Sequence, residues 1–223
     1  ARTVLSDANT GTGTNLVLAR GLVLDSANNR ALVVDSDLDA LVAIDLVSGD
    51  RSVLSDSNTG TGPDLLDLLN MSLDNANNRA LVVDNNLDAL VAIDLGSGDR
   101  TVLSDTNTGT GLNLSFPLAV ALDNANNRAL VVDRNLRALI SIDLDSGDRS
   151  VLSDSSTGIG TSLIDPRGIT LDSTNNRALV ADINLNAIIS IDLDSGDRIV
   201  LSNNITGNGP VFDTPQDTTL DSA

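Results

Sequence analysis

Aspartate is the residue type best able to do chemistry in this chain, and it recurs at fixed places. Asp35, Asp84, Asp133 and Asp182 stand 49 residues apart, each closing a run of Leu-Val-Val-Asp or Leu-Val-Ala-Asp. Such a row offers oxygen ligands or acid–base groups. Its surroundings restrict it: the 31 acidic residues are all Asp, the 13 basic residues are all Arg, and Glu, Lys, His, Cys, Trp and Tyr do not occur. Lack of His removes the commonest general base and transition-metal ligand, and lack of Cys removes disulfides and thiolate metal sites. An Asp that ends a strand also accepts backbone N–H bonds in the next turn, and that structural role is the expectation for this row. Asn28-Asn29 and Ser48-Gly49-Asp50, with their copies, read as turn residues in the same way, Asn tolerating the left-handed region and Gly49 supplying a positive φ. The Gly-rich stretch that begins at Thr10, Thr59, Thr108, Thr157 and Thr206 lacks the Lys and the helix of a phosphate-binding P-loop. A flexible connector is expected there.

Residues identical in every copy do what every copy needs, so one site is best sought where the copies differ. One such place reads Arg20-Gly21, Leu69-Asn70, Leu118-Ala119, Arg167-Gly168 and Gln216-Asp217. The other reads Ser36-Asp37-Leu38-Asp39, Asn85-Asn86-Leu87-Asp88, Arg134-Asn135-Leu136-Arg137 and Ile183-Asn184-Leu185-Asn186. The candidate ligand-binding residues are therefore Arg20, Asp37, Asp39, Asn86, Asp88, Arg134, Arg137, Arg167 and Gln216, with an acidic arc and a basic one. Asp37, Asp39 and Asp88, helped by Asn86, are the candidate ligands for a hard cation such as Ca²⁺, which takes six to eight oxygens. The spacing Asp35-x-Asp37-x-Asp39 partly matches a calcium loop but lacks its Gly and its distal bidentate Glu. No catalytic set emerges.

The elements that carry these residues are copies of one unit. Leu24 to Asp56 recurs from Leu73, Leu122 and Leu171, which points to a solenoid, propeller or array. Repeats run over 2–50, 51–99, 100–148 and 149–197, with a partial one over 198–223. Abundant Asp, Asn, Gly, Ser and Thr without Lys or Glu favours turns and strands over helices. Each repeat holds four short strands: A (Gly21 to Asp25), B (Arg30 to Asp35), C (Ala40 to Leu46) and D (Arg51 to Ser55). Links of about four residues join A to B, B to C and C to D, so they are hairpins and the sheet is an antiparallel meander, whereas parallel pairing needs long crossovers. The longer link after D carries the chain to the next sheet. This is the pattern of a β-propeller of four-stranded blades, all-β in class. A parallel β-helix is the rival fold, but its coils are usually shorter and lack hairpins. In a propeller the B–C links and the starts of strand A share the face around the channel mouth.

Pro166-Arg167-Gly168-Ile169-Thr170-Leu171-Asp172, Asn175-Asn176-Arg177, Leu179-Val180-Ala181-Asp182 and Ile188 to Asp192 resemble the NHL-type propeller repeat. The chain is also similar to the wider group of YWTD-type and gluconolactonase-like six-bladed propellers. The resemblance covers nearly the whole chain and implies a propeller, six-bladed by analogy. It departs where NHL repeats carry Asn and Arg after Val-Ala-Asp; Leu185 and Ala187 stand there, and Leu38 and Ala40 in the first copy. Gluconolactonase-like enzymes hold a divalent ion with Glu, Asn and Asp, and a chain without Glu cannot supply that set.

The chain is expected to start with a strand D and stop after a strand A, as a segment of a larger propeller of 1–223 and beyond. The function expected is non-catalytic: a binding or scaffolding propeller, part of a larger secreted, periplasmic or cell-surface bacterial protein. The alternative is a metal-dependent hydrolase or lactonase of the gluconolactonase-like class. A net charge of −18 argues against nucleic acid as partner, since phosphate calls for a basic face. Apolar runs such as Ala40 to Ile44 are far shorter than the roughly 20 residues of a membrane helix. The expected partners are the remaining blades or another protein, including a second copy meeting the open propeller edge.

Overall fold

The computed structural model describes residues 3–221, so Arg2, the expected start of the first repeat, lies outside the described residues. The chain divides into two compact units, Ala1–Val102 and Leu103–Ala223. In the first lie β1 (Ala19–Asp25), β2 (Arg30–Asp35), β3 (Ala40–Asp45) and β4 (Arg51–Ser55). They are followed by β5 (Leu68–Asp74), β6 (Arg79–Asp84), β7 (Ala89–Asp94) and β8 (Arg100–Ser104), in which the boundary falls. The second holds β9 (Pro117–Asp123), β10 (Arg128–Asp133), β11 (Ala138–Asp143) and β12 (Arg149–Ser153), then β13 (Pro166–Asp172), β14 (Arg177–Asp182), β15 (Ala187–Asp192) and β16 (Arg198–Ser202). Each group of four is one sheet in sequential order, the antiparallel meander that three short links dictate. The middle strands, rich in Val, Ile, Leu and Ala, are buried on both faces, as β2 and β3 show. In the first unit Leu32, Val34 and Leu41 pack against Ala80, Val82, Val91 and Ile93. In the second, Leu130, Val132 and Leu139 pack against Ala178, Val180, Ile189 and Ile191. Each fully buried Leu or Ile contributes about 1.5–3 kcal/mol.

The turns follow their residue types. Asp25 accepts from the Asn28 backbone N–H and caps a single 3₁₀ turn, Ser26–Asn28, and Asn29 then takes the left-handed conformation at φ 51°. Arg30 Nε donates to Asp25 Oδ2 at 2.7 Å. Charge alone leaves Arg30 free to pair with an Asp of a neighbouring sheet. The pair instead closes its own hairpin, because Asp25 and Arg30 face each other at the end of the β1–β2 register. Arg79, Arg128 and Arg177 repeat it with Asp74, Asp123 and Asp172. Burial alone would push the Asp25 carboxyl up, but the hydrogen bonds from Arg30 and Asn28 hold it below its ordinary value.

The Gly-rich link is a packed loop, not the flexible connector its composition suggests. Arg100, only 6% exposed, donates from Nη1 to Asp56 O at 2.7 Å and Thr59 O at 2.9 Å, and from Nε to Pro63 O at 2.6 Å. Arg51, Arg149 and Arg198 hold the links before them in the same way. Here the buried guanidinium's fixed fork of donors meets carbonyls that an irregular loop would otherwise leave unpaired.

Among the described residues neither end is a strand: 3–6 and 216–221 are irregular, which corrects the expected opening strand D and closing strand A. The last segment nonetheless lies where a following sheet begins. A Cβ on Gly168 would come within 2.5 Å of Asp217 Cα, as one on Gly21 would come within 2.9 Å of Asn70 Cα in β5. Thr218 Oγ1 donates to Leu179 O at 3.3 Å. Among the described residues no second strand of a fifth sheet stands beside this segment, so it forms no ladder there.

Asp45, Asp94, Asp143 and Asp192 close the C–D turns by accepting from the backbone N–H of Ser48, Ser97, Ser146 and Ser195, which holds each carboxyl below its ordinary value. Thr12, Thr61 and Thr110 do the same for Asp50, Asp99 and Asp148. With folded values below unfolded ones, the stability these bonds add is complete above the ordinary aspartate value of 3.8 and is lost as pH falls through the folded values. The melting temperature is expected to be flat from about pH 5 to 8 and to fall below about pH 4. A melting temperature that holds at pH 3 or lower would contradict this.

Candidate functional site

In every sheet the start of the first strand and the turn after the second lie at one end, as the pairings Ala19↔Asp35 and Asp35↔Ala40 show. The repeated Asp row sits at this end and is consumed there. Asp35 is fully buried and accepts from Val17 N at 2.7 Å, Leu18 N at 3.0 Å and Leu38 N at 3.1 Å. Asp84, Asp133 and Asp182 accept from Leu66 and Leu87, from Ser115 and Leu136, and from Ile164 and Leu185. Each binds its turn as expected and also pins the entry to the first strand.

The candidate residues fall into two groups. In the first unit Arg20 is exposed and its Nε donates to Ser36 Oγ at 3.3 Å. Asp37 and Asn86 are exposed. Asp39 takes the left-handed conformation at φ 48° and Asp88 the matching one at φ 47°. Asp39 Oδ1 is buried without a hydrogen-bond partner. Burial, then the charges of Asp84, Asp67 and Asp37, push its carboxyl up. The structure thus joins Asp37 and Asp39 to Asp67 and Asp84, with Asp88 outside the charges that act on Asp39. No group of three or more acidic side chains is placed to hold a metal among the described residues, so the calcium reading rests on spacing alone.

Replacing Asp39 by Asn, the residue type found at Asn186 in the fourth copy, keeps the left-handed preference and removes the charge. It is expected to stabilise the chain at neutral pH by up to about 1 kcal/mol. The gain should shrink on acidification, since the raised carboxyl of the parent then takes up a proton and loses its own penalty. A loss of stability at pH 7 in urea titrations would contradict the reading.

In the second unit Arg134 and Arg167 converge on Asp165, which is 5% exposed. Arg134 Nε donates to Asp165 Oδ1 at 2.7 Å and Arg167 Nη2 to Asp165 Oδ2 at 3.2 Å. The Arg134 guanidinium carbon also lies 5.7 Å from the Phe116 ring centroid, a cation–π contact. Arg137 is exposed and left-handed at φ 52°. A cleft of about 300 Å³ is lined by Arg134, Asn135, Arg137, Ile164, Asp165 and Asn184. Gln216 stands apart, its Nε2 donating to Thr214 O at 3.3 Å.

Sequence reasoning missed Asp67 and Asp165. They occupy one further position that differs between copies (Leu18, Asp67, Phe116, Asp165), just before the first strand, so the same rule extended by two residues finds them. At the other end of the sheets lie hollows of about 310 Å³, lined by Asn28, Arg30, Asp45, Ser48 and Asp50 among others, and about 260 Å³, lined by the copies of these five among others. Their walls are the repeated turn residues, which serve every sheet.

No protein-family model and no curated protein matches the sequence. Solved structures do. A Bacteroides thetaiotaomicron protein of unknown function aligns at TM-score 0.57 and 12% identity, over 96% of this chain and 69% of its own. A protein provisionally described as a gluconolactonase aligns at TM-score 0.63 and 15% identity, over 88% of this chain and 64% of its own. A chain of the nidogen/laminin complex aligns at TM-score 0.48 and 17% identity, over 81% of this chain and 78% of its own, too weak a match to argue from. Likeness at such identities speaks for the fold: the four antiparallel sheets are β-propeller blades.

Proposed function

We propose that the chain is a non-catalytic binding or scaffolding part of a larger secreted or cell-surface bacterial propeller, residues 1–223 forming one segment of it. One observation carries the reading. The polar side chains repeated in all four blades, namely Asp25, Arg30, Asp35, Asp45, Asp50, Arg51 and their copies, hold turns and links. The side chains that differ gather at one end of the blades in groups of opposite charge, acidic around Asp39 and basic along the cleft of the second unit. That division suits a surface built for recognition on a repeated frame. Its partners on this reading are further blades or another protein, and its acidity disfavours nucleic acid.

The test is a hydrolysis assay on aliphatic and aromatic lactones, run with Ca²⁺, Mg²⁺, Mn²⁺ and Zn²⁺ in turn. The expected rate equals that of buffer with metal. Saturable turnover above it would overturn the binding reading in favour of a metal-dependent hydrolase.

A further inference from the structure

We infer that the cleft between the third and fourth blades binds a small oxyanion, a carboxylate- or phosphate-bearing molecule. The inference deepens the binding reading and rests on it.

The arginine inventory is the first ground. Of the 13 arginines, Arg2 lies outside the described residues. Arg51, Arg100, Arg149 and Arg198 hold the Gly-rich links. Arg30, Arg79, Arg128 and Arg177 close hairpins on an Asp. Arg20, Arg134, Arg137 and Arg167 belong to neither set: Arg20 and Arg167 share one varying position, whereas Arg134 and Arg137 have no arginine at the same place in the other copies. Arg134 and Arg137 line the cleft of the second unit, and Arg167 pairs with the Asp165 that lines it too.

The balance of charge at that cleft is the second. Asp165 is the one carboxylate on its lining, and it is shared by two guanidiniums. Asp133 and Asp182 are fully buried and already accept backbone N–H bonds. The lining therefore keeps positive charge in excess, although the chain as a whole carries −18.

Arg137 is the third. Its backbone sits at φ 52°, a region that Asn and Asp visit easily and a long side chain does not. The other copies carry Asp39, Asp88 and Asn186 there. Among the described residues its side chain makes no hydrogen bond or ion pair. A cation held at a costly backbone position, without a partner among the described residues, fits a partner from outside. Guanidinium forks match carboxylate and phosphate oxygens in pairs. Asn184 and the amide of Asn135, whose Nδ2 also donates to Ser115 O at 3.0 Å, complete a polar wall. The cleft's volume of about 300 Å³ suits a small ligand. At the matching place in the first unit stand Asp37, Asp39 and Asp67, which would repel an anion.

The experiment is calorimetric titration of the intact chain with citrate and, separately, with inorganic phosphate at about 150 mM salt, where long-range attraction is screened. R137N installs the residue type of the fourth copy, so it removes the charge while favouring the fold; an unchanged melting temperature verifies this. Saturable binding is expected, weakened about tenfold or more by R137N and unaltered by D39N in the first unit. Binding of phosphate alone, or of citrate alone, supports the inference and identifies the oxyanion. No binding of either at about 10 mM, or equal binding by R137N, overturns it. Lactone turnover with the same anion profile would overturn the non-catalytic reading and leave this site standing.

Discussion

Arg149→Ala is expected to destabilise the chain by about 3–5 kcal/mol, seen as a lower urea midpoint and as lost amide protection over Thr108 to Leu112. Arg149 is 7% exposed. Its Nη1 donates to Ser104 Oγ at 2.6 Å, Asp105 O at 2.7 Å and Thr108 O at 2.9 Å, and its Nε to Leu112 O at 2.8 Å. Truncation leaves three loop carbonyls and a buried hydroxyl without that donor, each at a cost of about 1–3 kcal/mol where water cannot replace it. Some relaxation of the loop toward solvent keeps the total below the plain sum. Arg149→Lys should recover only a minor part, because one ammonium cannot reach acceptors spread around a planar fork. Arg100→Ala is expected to behave alike, since its partners Ser55, Asp56, Thr59 and Pro63 repeat the pattern. A midpoint shift under about 1 kcal/mol for both alanine variants would show that the link stands without its arginine.

Gly109→Ala is expected to cost about 3 kcal/mol or more, by a different route. Gly109 has φ +75°, and a Cβ placed on it would lie 1.9 Å from Gly147 O. Gly147 also has φ +75°, with its own Cβ position 2.1 Å from Leu103 O. The atoms met are backbone, so no rotamer change relieves the overlap and the link must move off the C–D turn. The left-handed backbone alone adds about 1–2 kcal/mol for any residue with a Cβ. Gly96→Ala is the control. Gly96 has no positive φ and meets only the ends of side chains, at 3.3 and 3.6 Å, while Val47, Asp145 and Asp194 fill its place in the other copies. That variant should be neutral within about 0.5 kcal/mol. Equal behaviour of the two alanine variants in the same denaturation experiment would remove the interlock from the account.

The repeat, the four strands of each copy and their order were legible without coordinates. Hydrophobic runs of strand length bounded by Asn, Asp, Ser and Gly are local information, and a short link admits only an antiparallel neighbour. The left-handed Asn29 and the positive φ of Gly49 follow from residue chemistry in the same local way. The partner of Arg30 was not legible, because charge alone does not say which Asp the register brings opposite. The Gly-rich link was misread as flexible because its order comes from Arg51, Arg100, Arg149 and Arg198, which act across about 40 residues of chain; composition describes only the loop's own freedom.

For the site, variation among copies singled out Asp37, Asp39, Arg134, Arg137 and Arg167 but not Asp67 and Asp165, which lie against them. Sequence by itself determined that this is a repeated, all-β, blade-forming chain without His, Cys or Glu chemistry, since periodicity and composition depend on no contact. Tertiary structure alone decided which charges lie together. Asp39 meets Asp67 and Asp84, and Arg134 meets Asp165, because packing one blade on the next brings together a turn and a strand start some thirty residues apart. Coulomb energy depends on that distance in space and on burial, neither of which can be read along the chain.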